Sequence, residues 1–68
     1  MKYYYYVYEY SNNIKNIRGE AIMSNNGFFN VSDAKDFIKE VYGYVPVIVS
    51  CIEISKEDYD EISKRLGK

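Results

Sequence analysis

The sequence predicts an α+β domain with element order ββαβα. Three observations carry that prediction. Residues 3–10 and 45–54 are dominated by aromatic and β-branched side chains, the residue types that fit a pleated surface. Between them, Ala34, Phe37, Ile38, Val41 and Tyr42 fall at i, i+3, i+4, i+7 and i+8, an apolar stripe of helical period. Asn-rich turns at 11–13 and 25–27 separate the first elements.

The first strand, β1, is read at 3–10: Tyr3, Tyr4, Tyr5, Tyr6, Val7, Tyr8 and Tyr10 leave only Glu9 as a charge. Ser11-Asn12-Asn13 opens a hairpin loop that runs to Ile17, because Asn bonds its own backbone and tolerates left-handed conformations. The weakly alternating segment 18–24 is β2, and Asn25-Asn26-Gly27 is a second turn. The first helix, α1, begins at Ser32 as N-cap, with Asp33 and Asp36 near its positive end and Gly43 stopping it. Residues 45–54 form β3, where Pro46 lacks a ladder donor and belongs at the strand start or on an edge. Ser55-Lys56-Glu57-Asp58 is a capping box, so a short helix, α2, follows, with Tyr59, Ile62 and Leu66 on its stripe.

A hairpin followed by a crossover helix lets β3 pair on the free side of β1. The expected sheet is three-stranded and antiparallel, in order 2-1-3, with the helices on one face. No linker, repeat or low-complexity tract divides residues 1–68, which read as a single domain. For 8.0 kDa the area scaling gives about 4,400 Å² of folded surface and about 60% burial, a marginal core that oligomerisation often supplements.

One helical layer covers one sheet face, so the other should be polar. It is not. In β1 the odd positions are Tyr3, Tyr5 and Val7, and the even ones Tyr4, Tyr6, Tyr8 and Tyr10. Val needs burial more than Tyr does, so Tyr5 and Val7 are expected to face the helix. Tyr4, Tyr6, Tyr8 and Tyr10 would then line an uncovered face as the partner or oligomer interface, with Lys15, Arg18, Glu57, Asp58 and Glu61 as its rim. Three covers for that face stay open: the C-terminal helix or long neighbouring side chains, a second copy with a dimer favoured, or a foreign protein.

Composition narrows the chemistry. The chain has no His and one Cys, Cys51, which removes Cys–His and Ser–His nucleophiles within one chain, an internal disulfide and a thiolate zinc site. Cys51, on a strand, reads as a buried small hydrophobe. No catalytic residue, metal ligand or cofactor is expected, and the chain reads as non-enzymatic. Aromatic ladders stack single-stranded bases where a positive groove accompanies them, but only Lys2, Lys15 and Arg18 lie near β1 and the net charge is −1. The five acids between Glu53 and Glu61 read as a solvated helix start. No apolar run reaches a membrane span, and no secretory leader is evident, so a cytoplasmic protein is expected.

A Met-Lys-Tyr-Tyr start running into an aromatic first strand, Arg18-Gly19-Glu20-Ala21, Asn30-Val31-Ser32-Asp33-Ala34 opening a helix, Val47-Ile48-Val49, and the tail from Ile54 to Tyr59 together resemble the very small ββαβ proteins of phages and prophages of low-GC bacteria. That group includes anti-CRISPR and other anti-defence inhibitors. The resemblance implies a protein-binding inhibitor whose partner is a host defence protein, and it carries no functional residue across. The alternatives are an oligomeric sponge for a signalling nucleotide, held by Lys15 and Arg18, and a module for single-stranded nucleic acid.

Overall fold

The computed structural model describes residues 1–67. It has β1 at Lys2–Ser11, β2 at Asn16–Asn25, α1 at Val31–Tyr42, β3 at Val47–Ile54 and α2 at Lys56–Arg65, with the sheet in order β2-β1-β3 and both pairings antiparallel. The predicted α+β architecture and strand order hold.

The hairpin register pairs Tyr6 with Ala21, Tyr8 with Gly19 and Val7 with Glu20. Its turn is set by Asn12, whose side-chain oxygen accepts from the N–H groups of Ile14 and Lys15. On the other side Tyr5 faces Ile52 and Tyr3 faces Ile54, and a bulge follows: Val7 pairs with Ser50 but Tyr8 with Ile48, leaving Val49 as the extra residue. The bulge breaks the alternation of β3. Ile48, Cys51 and Glu53 share the parity of the even tyrosines, whereas Val47, Ser50, Ile52 and Ile54 share that of Tyr5 and Val7.

The parity of β1 is the reverse of the expectation. Tyr4, Tyr6 and Tyr8 are buried, and Tyr6 and Tyr8 form the core with Ala21, Ala34 and Ile38 of α1, flanked by Tyr10, Met23, Phe29 and Ile48. The cause lies in β2. Its even-face partners are Met23, Ala21, Gly19 and Ile17, all uncharged, with the small Ala21 and Gly19 opposite Tyr6 and Tyr8, so those rings lie across them under the helix. The odd face carries Glu9, Arg18 and Glu20, three charges that no helix can bury cheaply. Tyrosine is easier to bury because its hydroxyl reaches a partner at the margin of the core: Tyr4 Oη donates to the Gly27 carbonyl at 2.6 Å.

The helices also depart from the expected arrangement. Instead of sharing a face, they lie on opposite sides of the sheet. α1 covers the even face, and α2 packs over β1 and β2 on the odd face, where the Tyr59 ring meets Tyr3 at 4.9 Å between centroids. Of the expected α1 stripe, Ala34 and Ile38 are buried while Phe37 and Val41 remain exposed. The N-cap of α1 is Asn30 rather than Ser32; its side chain accepts from the Asp33 N–H at 3.0 Å. The C-terminal stop is as predicted, with Gly43 at φ 84° donating to the Lys39 carbonyl. Ser55 caps α2 by accepting from the Asp58 N–H. Pro46 is buried just ahead of β3.

Candidate protein-binding surface

Because α2 crosses only part of the odd face, the rest of that face stays open. Its covered end holds Tyr3, Ile22 and Ile54. The open end holds Val7, half-buried and opposite Ser50 of β3, with Val47 and Ile52 to either side, 66% and 58% exposed. A groove of about 570 Å³ runs between α2 and β3, lined by Tyr5, Ile52, Ile54, Asp58, Ile62 and Arg65. A second, smaller depression lies across Val7 and Arg18 toward β2, with Tyr5 lining both.

Paired charges frame this apolar floor. The Glu20 carboxylate accepts from the Tyr5 hydroxyl at 2.6 Å on one oxygen and from Arg65 Nη2 at 2.8 Å on the other, which pins the end of α2 to β2. Donating that bond to a carboxylate holds the Tyr5 phenol above its ordinary value, and desolvation and the nearby Glu20 charge add to the shift. Glu9 and Arg18 pair at 3.6 Å across β1 and β2. An apolar centre with a charged rim is the usual anatomy of a protein–protein contact.

The four tyrosines expected as the interface are elsewhere. Tyr4, Tyr6 and Tyr8 are core. Tyr10 is half-buried at the end of the even face, stacked on Tyr8 at 6.2 Å and on Tyr44 at 5.4 Å between centroids. Desolvation raises the phenol pKa of both Tyr6 and Tyr8, and for Tyr8 the hydrogen bond with the Tyr42 hydroxyl raises it further. Of the expected rim, Arg18, Asp58 and Glu61 do come together around the odd face, on the opposite side of the sheet from the tyrosines they were to frame. Glu57 lies with Asp60 and Lys64 on the outer side of α2, and Lys15 sits in the hairpin turn. Cys51 is exposed rather than buried, on an outer strand of the sheet.

Val7 was legible as apolar but expected under the helix, and strict alternation along β3 puts Val47 and Ile52 on opposite faces. The signal that separates them is cross-strand: once β2 is known to place Arg18 and Glu20 opposite Glu9 and Val7, the odd face cannot be the one that closes. Among the described residues, no helix is long and apolar enough to cross a membrane. No protein-family model, no curated protein and no solved structure matches this chain.

Proposed function

We propose that this chain is a non-enzymatic protein-binding module whose target docks on the open half of the odd sheet face. One observation carries the reading: Val47 and Ile52 stand largely exposed beside Val7, inside a rim of Glu9–Arg18 and Glu20–Arg65 pairs. Contiguous apolar surface rimmed by polar groups on a small domain is characteristic of a contact site. In its narrower form the proposal is that of an inhibitor acting on a defence factor in the host bacterial cytoplasm, which rests on the resemblance described above.

The test is a titration. Proteins retained from a host lysate by the wild-type chain and not by Val47→Lys are identified, purified and titrated against both. The expected result is a loss of about 30-fold or more in affinity, as for an interface anchor, with unchanged circular dichroism because Val47 is already exposed. A purified partner that binds Val47→Lys as tightly as wild type overturns the surface assignment. The narrower form is read by plating phage on a host with an active defence system: expression of the chain raises plating efficiency, and Val47→Lys does not. Plating that wild type leaves unchanged refutes inhibition of that system.

A further inference from the structure

We infer that the free edge of β3 pairs antiparallel with β3 of a second copy, joining the two sheets across a two-fold axis in the order β2-β1-β3-β3-β1-β2. The inference deepens the protein-binding reading and rests on its view of β3 as contact surface, but it uses the strand edge rather than the sheet face.

The two outer edges of the sheet differ sharply. β2 carries Arg18 and Glu20, and Arg65 from α2 reaches over to Glu20. Beside Glu20 and Ala21, Leu66 approaches the flank of α1. Charge and cover of this kind are how an edge is kept from pairing. β3 has neither. Between residues 47 and 54 it contains no Lys, Arg or Pro, and its one charge, Glu53, is held from the β1 side by Lys2 at 3.8 Å. Ser50, Cys51, Ile52 and Glu53 are all exposed, and α2 packs over β1 and β2 instead. The bulge at Val49 limits the regular segment to 50–54, a length of about 17 Å.

Area favours a second copy as the occupant. The chain exposes 4792 Å², roughly a tenth more than the ~4,400 Å² typical of a monomer of this mass. Its radius of gyration is 12.1 Å, where a compact chain of this length has about 11 Å. Every copy carries that surplus. Burying the 50–54 edge with Val49 removes on the order of 500 Å² per copy, or about 1,000 Å² in total, the lower limit for specific association. Antiparallel self-pairing near Cys51 and Ile52 sets uncharged side chains against one another across the axis. A net charge of −1 adds little repulsion. The dimer then dissociates in the micromolar range.

Sedimentation of the full chain from about 5 to about 500 µM tests this, combined with amide exchange at both ends of that range. The expected result is a mass that rises from 8.0 kDa toward twice that value, with the outward amides of 50–54 protected only at the high concentration. Cys51→Lys places two cations beside the axis and keeps the chain monomeric with unchanged circular dichroism, whereas Val47→Lys loses its target and still dimerises. A chain that stays monomeric at the highest concentration overturns the inference and leaves the target titration standing. A dimer that Cys51→Lys does not weaken, or that leaves 50–54 unprotected, overturns it as well.

Discussion

The two faces of the sheet are made from alternate residues of the same strand, yet one is closed and the other half-open. On the even face, Tyr6 and Tyr8 pack with Ala34 and Ile38 of α1, and Phe29 lies against the rings of Tyr4 and Tyr6 at 5.6 and 5.3 Å. On the odd face, Tyr3 and Tyr5 are half-covered by α2, and Val7 looks out with Val47 and Ile52 to either side. Hydropathy of β1 alone would have reversed the two. What decides is the neighbour across the ladder: a face is sealed where the adjacent strand contributes Gly and Ala, and left open where it contributes charges.

Several measurements can break or sharpen that contrast. The largest effect is expected at Tyr6, the largest fully buried side chain. Tyr6→Ala should cost about 3–5 kcal/mol. A 68-residue domain has roughly 3–10 kcal/mol in all, so the variant should be largely unfolded by circular dichroism. A cooperative melt close to that of wild type would show that the even face is not the core.

Alkaline pH acts on both faces. Tyr5, Tyr6 and Tyr8 have phenol pKa values raised above the ordinary 10.0 in the folded chain. The folded state therefore holds these protons more tightly than the unfolded state, and the stability they supply is intact below pH 10 and falls as pH climbs above it. Tyrosinate absorbance and ellipticity followed together should show these phenols ionising as the fold collapses. Smooth ionisation of all nine tyrosines near pH 10 with the fold intact would contradict the burial of Tyr6 and Tyr8 and the Tyr5–Glu20 bond.

Gly19 reports on the close approach across the hairpin. A Cβ there would collide with the Tyr8 hydroxyl and ring Cζ, and that ring is buried, so it cannot simply swing aside. Gly19→Ala should cost about 1–3 kcal/mol, read as a lower denaturation midpoint at unchanged slope. The smallest effect is expected on the open face. Glu20→Gln weakens the bond to Arg65 at the end of α2 and should cost about 0.5–1 kcal/mol, because the pair is solvent-exposed. Its signature is faster amide exchange confined to α2, and exchange rising equally in β1 would show that the helix is more than a partial cover.

The element order, the strand order and the capping of α2 were all legible, because each rests on short-range signals: aromatic runs, helical spacing, Asn turns and a Ser three residues before an acid. The parity of β1 was not legible from β1, since Tyr and Val alternate there without a polar row. It was held in the register of the hairpin, which the Asn12 turn fixes at residues 12–15 and which places Gly19 opposite Tyr8. The bulge at Val49 hid the second half of the answer. A strict period of two groups Val47 with Cys51, whereas the extra residue puts them on opposite faces. The binding surface was missed for the same reason: Val7 was expected under the helix, and only the bulge brings Val47 onto the same face as Ile52.

The tyrosine stack has an optical consequence. The Tyr10 ring lies between those of Tyr8 and Tyr44 with interplanar angles of 6° and 7°, and the chain contains no Trp. Rings stacked this closely couple electronically, so the native protein carries its own near-ultraviolet dichroism from the row. A swing of the loop bearing Tyr44 away from the sheet would change that signal, giving a label-free readout of motion just ahead of β3.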